Sequence, residues 1–275
     1  MRDKTVLITG SSSGIGRATA DAFLEADWTV YATARDTDDI ESLAEAGAKT
    51  QQLDVTDDGD VEAAIDRVIE EDDRIDCLVN NAGYGQFGPV EDVPVEELHD
   101  QFDVNVYGPH RMARAALPHM REEGEGTIIN MSSVAGRVAT PGMGAYCGSK
   151  FALEGISDAL RSEVDTHGID VVLVEPGPVS TNFDDRASEQ LDDGPERSGA
   201  YDYLYEIYEE QETFGGASAL AIEPERVAAV ILEAACSPDP DPRYPVGRIA
   251  QVTLLARFAP DRIRDSVFRL VNKLV

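Results

Sequence analysis

Short apolar runs alternate with longer amphipathic ones along most of the chain, the pattern of repeated β-α-β units that build a parallel sheet. The apolar runs predict strands at Thr5–Thr9, Thr29–Thr33, Thr50–Leu53, Ile75–Asn80, Thr127–Met131, Asp170–Val174 and Arg243–Val246. Helical periodicity predicts helices near Gly14–Ala26, Asp38–Ala46, Asp58–Glu71, Val95–Glu122, Gly144–Thr166 and Glu225–Cys236. Pro94 pre-sets the first turn of the long fourth helix, Thr37 or Asp38 can cap the second, and Gly47 can end it. These elements predict an α/β fold with a doubly wound parallel sheet of about seven strands flanked by helices. One stretch breaks the rhythm. Residues 181–221 are rich in Asp, Glu, Gly and Tyr, and an insertion of that length after the sixth strand reads as a substrate lid. Within it Tyr201, Leu204, Tyr205 and Tyr208 fall at helical spacing on one apolar face.

At 275 residues, with 42% hydrophobic and 28% charged positions, the chain is expected to fold as one large domain over residues 1–275. No window approaches the ~18 uninterrupted apolar residues of a membrane span. Met1-Arg2-Asp3-Lys4 leads straight into the first strand with no cleavable leader, so a cytoplasmic protein is expected. Acids outnumber bases 53 to 23, giving a net charge of −30 that disfavours nucleic acid and anionic lipid as partners. Lysine occurs only at positions 4, 49, 150 and 273, and this acid-rich, lysine-poor composition resembles that of halophilic proteins adapted to a high-salt cytosol. The three cysteines, Cys77, Cys147 and Cys236, lack metal-ligand spacing and read as reduced thiols, so no metal site is expected.

The candidate chemistry begins at Thr9-Gly10-Ser11-Ser12-Ser13-Gly14-Ile15-Gly16, between the first strand and its helix. Glycines there let backbone approach a pyrophosphate, while the helix start offers free N–H groups and partial positive charge. Gly10, Ser12, Ser13, Gly14, Ile15 and Gly16 are therefore candidate dinucleotide ligands, and the fold becomes Rossmann-type. The second strand ends in neutral residues followed by Arg35, a group suited to a ribose 2′-phosphate, so NADP(H) is favoured with NAD as the alternative. Asp36 reads as a helix cap, and Arg17 could also reach the phosphate. Asp54-Val55 closes the third strand where a carboxylate can meet an adenine edge. Asn81, Ala82 and Gly83 follow the fourth, and the two small residues let the chain run close against the adenosine ribose.

Tyr146 and Lys150 lie one turn apart on one helical face. A lysine cation beside a phenol favours the phenolate and brings the phenol toward the pKa that a general acid/base needs. Ser133, which follows the fifth strand, can donate to a substrate oxygen, with Ser132 as its competitor. Asn105 sits inside the long fourth helix, where Asn is a weak helix former and marks either a kink or a surface hydrogen bond.

With these residues in this order, the chain resembles a short-chain dehydrogenase/reductase over roughly residues 4–181, and is most similar to the branch of hydroxysteroid and retinol dehydrogenases. The resemblance implies that Tyr146 is the general acid/base, that Ser133 rather than Ser132 acts, and that Asn105 holds a water relaying protons to Lys150. It also implies that Pro176-Gly177-Pro178-Val179 and Thr181 lie against the nicotinamide carboxamide, and that the protein forms a homo-oligomer.

The last segment, 248–275, is read as a helical tail. It carries six basic residues (Arg248, Arg257, Arg262, Arg264, Arg269 and Lys273) against Asp261 and Asp265. An apolar stripe of Ile263, Val267, Leu270, Val271 and Leu274 suits docking on the protein itself, on a partner subunit or on a membrane surface. Lid tyrosines, Phe214, Phe87 and Met143 suggest an apolar substrate. The expected activity is NADP(H)-dependent interconversion of a carbonyl and an alcohol. The alternatives are a 3-oxoacyl carrier-protein reductase and a dinucleotide sensor without catalysis.

Overall fold

A computed structural model describes residues 4–181, 197–206, 221–263 and 265–266. Its seven strands are β1 (Thr5–Ile8), β2 (Thr29–Ala34), β3 (Lys49–Gln52), β4 (Cys77–Asn80), β5 (Gly126–Met131), β6 (Ile169–Pro176) and β7 (Arg243–Val246). All pair in parallel in the order β3-β2-β1-β4-β5-β6-β7. The strand order reverses between β1 and β4, and the crevice above such a reversal is where open α/β sheets place a ligand.

Most strand residues are buried on both faces, which is why the strands read as continuous apolar runs. On one side β1, β2 and β6 pack with Phe23 of α1 (Gly14–Glu25) and with Val227 and Ile231 of α7 (Pro224–Cys236). On the other, Ile65 of α3 (Asp58–Asp72) meets Met112 and Met120 of α5 (Gly108–Glu123) over Leu7, Leu78 and Ile128. Asp57 caps α3 by accepting the Gly59 and Asp60 N–H groups. The second predicted helix is a 3₁₀ turn, Asp38–Ile40, followed by the short α2 (Glu41–Glu45). Its start is held by Asp36, whose Oδ1 accepts the Asp38 N–H at 3.0 Å, and not by the side chains of Thr37 or Asp38.

The long fourth helix is not continuous. It runs as α4 (Val95–Phe102), a π-helical turn (Asp103–Tyr107) and α5. A π turn widens the hydrogen-bond ladder, and such turns recur at functional sites. Here it brings Asn105 inward and restarts the helix so that Pro109 falls in the first turn of α5, where its missing N–H costs nothing. Helix α6 covers Gly144–Val164.

Of the residues assigned to a lid, 202–206 are helical. Leu204 and Tyr205 are buried, while the Tyr201 and Tyr205 hydroxyls donate to Glu91 at 2.6 Å and Asp92 at 2.9 Å. Tyr208 and Phe214 lie outside the described residues. The tail begins as α8 (Arg248–Leu255), continues as a 3₁₀ turn and breaks before Pro260, so its described part is not one unbroken helix. Ile263 is exposed there, and the rest of the apolar stripe lies outside the described residues.

Candidate active site

The cradle is held by backbone proximity. Gly10 and Gly14 both have positive φ, +71° and +53°, which only glycine adopts without strain. A methyl group on Gly10 would stand 2.9 Å from the Ala82 Cα, and one on Gly16 would strike the Gly10 carbonyl oxygen and the Asn81 amide. Helix α1 starts at Ser13, whose backbone is extended, with no side-chain cap and no acidic residue in its first turn. Its N–H groups are therefore suited to a phosphate anion.

Two residues beyond the predicted ligands secure this turn. Thr9 is buried, and its hydroxyl accepts the N–H groups of Asn81 and Ala82, each at 3.0 Å. Asn81 in return donates its Nδ2 to the carbonyls of Thr9 and Gly10 at 3.0 and 2.9 Å. The hydroxyl of buried Thr33 donates to the Ile8 carbonyl at 2.9 Å, while its own carbonyl accepts the Ser11 N–H. These bonds tie β1, β2 and β4 together at the crevice. Thr181 completes the edge, since a methyl group on Gly14 would lie 3.1 Å from its Cγ2.

The predicted adenosine contacts sit at the strand ends. Arg35 is exposed immediately after β2, whereas Arg17 faces Asp21 along α1 at 3.4 Å. Asp54 accepts the N–H and hydroxyl of Thr56 on Oδ1 at 2.9 and 2.8 Å, fixing the loop that carries Val55.

The residues expected to react converge from four segments. Tyr146 is buried on α6, and Lys150 one turn later places Nζ 5.7 Å from the Tyr146 ring centroid. Lys150 donates to the Met131 carbonyl at 2.8 Å. Burial lowers its pKa to about 8, with Glu154 opposing the shift. Asn105 is fully buried and exchanges two bonds with the backbone of Tyr84: its Oδ1 accepts the N–H at 3.1 Å and its Nδ2 donates to the carbonyl at 2.9 Å. The same Nδ2 lies 3.2 Å from the Ser149 hydroxyl, which donates to the Tyr146 carbonyl. Asn105 is thus the kink of the sequence reading, not a surface residue. Gly83 is the meeting point, where a methyl group would lie 3.0 Å from Asn105 Oδ1 and 3.7 Å from Lys150 Nζ.

Ser133 caps the 3₁₀ turn Val134–Gly136 by accepting the Ala135 N–H at 3.1 Å, which leaves its proton for donation. Ser132 Oγ is buried over Gly136. Pro176 ends β6, the Gly177 N–H donates to the Val246 carbonyl, and Val179 bridges Ile222. Burial raises the pKa of the Cys147 thiol, so this residue packs beside Tyr146 as an apolar side chain. Gln86 and Gln101 were not singled out by the sequence. Gln101 donates to the Tyr84 carbonyl at 2.8 Å and accepts the Gln86 N–H at 2.6 Å, holding the segment after Gly83.

A doubly wound parallel sheet, a glycine turn at its crevice and a buried Tyr–Lys pair define a dinucleotide-dependent oxidoreductase. The model of the short chain dehydrogenase family matches residues 4–192, and the chain belongs to that family. It is 37% identical over 270 residues to the oxidoreductase YbbO of Escherichia coli, covering 97% of this chain and 94% of the relative. It is 35% identical to a 3-ketodihydrosphingosine reductase of Bacteroides thetaiotaomicron, covering 98% of each. An NADPH-dependent 3-dehydrocapnine reductase of Ornithobacterium rhinotracheale is 32% identical, with 95% of each covered. Among solved structures, a short-chain dehydrogenase from Streptomyces avermitilis superposes with a TM-score of 0.82 at 34% identity, covering 99% of this chain and 98% of that one. A metagenomic short-chain oxidoreductase in complex with NADP gives 0.69 at 28% identity, with 88% and 96% covered.

Proposed function

We propose that the protein is an NADPH-dependent reductase of an apolar ketone, with NADH as the weaker cofactor, and that Tyr146 is its general acid/base. The convergence of Lys150, Asn105 and the Tyr146 helix at Gly83 carries this reading. The uncapped start of α1 and the glycines at 10, 14 and 16 would hold the pyrophosphate, and exposed Arg35 the 2′-phosphate. NADPH, when bound, supplies a hydride. Ser133 donates to the substrate oxygen, and Tyr146 delivers the proton that the developing alkoxide needs. Lys150 holds positive charge beside the phenol, favouring the phenolate as the proton leaves. Asn105 keeps the π turn and the Tyr84 backbone in register so that a water can reach Lys150.

Exposed Leu98, Tyr107, Phe151 and Ile156 on α4, α6 and the turn before α5 support a homo-oligomer. Among the described residues no helix is long and apolar enough to cross a membrane, in keeping with a cytoplasmic enzyme. The acidic surface supports work at high salt. The test is NADPH and NADH oxidation in molar KCl with a panel spanning aliphatic, steroid and retinoid carbonyls, 3-ketodihydrosphingosine and a 3-oxoacyl carrier protein. Turnover of a free ketone is expected. Arg35→Ala should raise the KM for NADPH about tenfold or more while leaving that for NADH nearly unchanged. Tight NADPH binding without turnover across the panel would favour a sensor instead.

A further inference from the structure

A second buried polar cluster lies one helical turn beyond Lys150. Glu154 on α6 and Glu175 near the end of β6 are 5% and 1% exposed, so neither carboxyl is solvated. Arg137, which follows the turn capped by Ser133, donates Nη1 to Glu175 Oε1 at 2.9 Å and to Glu154 Oε2 at 3.3 Å. Arg243 of β7 donates to Glu154 Oε2 at 3.0 and 3.1 Å and lies 3.4 Å from Glu175 Oε1. Behind it, Asp158 of α6 accepts from Arg243 at 2.6 Å and also pairs with Arg161.

The cluster joins three segments of the candidate active site: the turn after Ser133, the helix of Tyr146 and Lys150, and the strand that ends at Pro176. Its hydrogen bonding leaves one carboxyl oxygen without a donor. Both arginines converge on Glu154 Oε2, while buried Oε1 has no donor. The Glu175 carboxyl lies beside it, since both accept from Arg137 Nη1 and both lie within 3.4 Å of Arg243, and two carboxyl groups can bond only if one carries a proton. We propose that Glu175 is a positioning residue which, as the protonated partner of Glu154, locks the Pro176 turn and the Ser133 turn against the helix bearing Tyr146 and Lys150. The role in catalysis rests on the oxidoreductase reading above, but the proton itself does not.

Burial first, and then the Glu154 charge, push the Glu175 pKa up to about 7 against the pull of Arg137 and Arg243. The folded protein then holds a proton that the unfolded chain releases above its ordinary carboxyl pKa. This contribution to stability is full at low pH, is lost as pH rises from about 4.5 to about 7, and is constant beyond. Above neutrality two facing carboxylates would press the β6 end away from α6.

Glu175→Gln keeps the shape, a donor for Glu154 and an acceptor for Arg137, and removes the titration. The Tm of this variant minus that of the wild type is expected to widen from about pH 5 to about pH 7 and then stay level. A gap independent of pH, or an amide variant that does not fold, overturns the proposal. This arm needs no substrate, so it stands even if the oxidoreductase reading fails. With a substrate in hand, wild-type kcat should fall through about pH 7 with the KM for NADPH steady, and the fall should be absent in Glu175→Gln. Glu175→Ala should lose about tenfold or more in kcat at every pH. Persistence of the fall in the amide variant, or equal losses for Gln and Ala, would remove Glu175 from any positioning role.

Discussion

The glycine turn and the proposed reacting edge lie in one crevice but are specified by different physics. Around Gly10–Gly16 the structure depends on what is missing: side-chain volume at Gly10 and Gly16, and a cap at the start of α1. Around Tyr146 and Lys150 it depends on what is present, a set of buried polar side chains bonded across the fold. Asn105 reaches Tyr84 and Ser149, Lys150 reaches Met131, and Arg137 reaches Glu154 and Glu175. A region defined by empty space shows itself in a local run of glycines, even though Thr9, Thr33 and Asn81 secure it from farther off. A region defined by buried bonds needs partners that are distant in sequence, each costly to leave unpaired. Damage to the first should therefore appear in cofactor affinity, and damage to the second in turnover.

Tyr146→Phe should separate the two most sharply. It removes one hydroxyl from the reacting edge and leaves the glycine turn untouched. General acid–base catalysis typically contributes about 10²–10⁴-fold, so kcat should fall by about that factor while the dissociation constant for NADPH stays within about twofold. Stopped-flow turnover and a fluorescence titration of NADPH measure the two quantities. A variant that loses binding as well as turnover would collapse the distinction.

Gly16→Ala should produce the opposite signature. Its added methyl meets the Gly10 carbonyl oxygen and the Asn81 amide, which cannot withdraw without breaking their mutual bond or that of Asn81 to the Thr9 carbonyl. Overpacking of this kind costs about 1–3 kcal/mol, equivalent to about 5- to 150-fold in NADPH affinity. Hydride transfer at saturating cofactor should be reduced far less. Equal losses in affinity and in the saturated rate would show that the cradle is not independent of the edge.

This division also explains what could be read from the sequence. The α/β alternation, the glycine turn and the Tyr146–Lys150 spacing are local, and each left a pattern within a few residues. Strand ends moved by only a residue or two, because caps and turns blur such boundaries. Thr9 stands inside the glycine motif, but its bonds to Asn81 and Ala82 cross 72 and 73 positions, and no periodicity reveals them. Gln101 and Gln86 look like ordinary polar residues until the π turn aims Gln101 at the chain beyond Gly83. The single long helix predicted over 95–122 failed for the same reason. Its apolar stripe continues through Asp103–Tyr107, while the widened turn is set by the bonds of Asn105 to a distant loop. An Asn in the middle of a good helical pattern, with a proline four residues on, was the one available clue.

Asn105 is therefore where the comparison can be tested most finely, because its side chain is structural and chemical at once. Asn105→Ala leaves the Tyr84 N–H without its acceptor, while the Tyr84 carbonyl keeps Gln101 as a donor and the Ser149 hydroxyl keeps its bond to the Tyr146 carbonyl. An unsatisfied buried group costs about 1–3 kcal/mol, less whatever an entering water recovers, so a loss of about 1–2 kcal/mol in unfolding free energy is expected. Asn105→Asp keeps the acceptor for the Tyr84 N–H and loses only the two donations from Nδ2. If Asn105 acts solely by bracing the π turn, kcat should track stability, with Asp intermediate between Asn and Ala. If it also serves a proton path to Lys150, kcat in both variants should fall further than their losses of stability account for. A kcat that tracks stability through the series would reduce Asn105 to a brace.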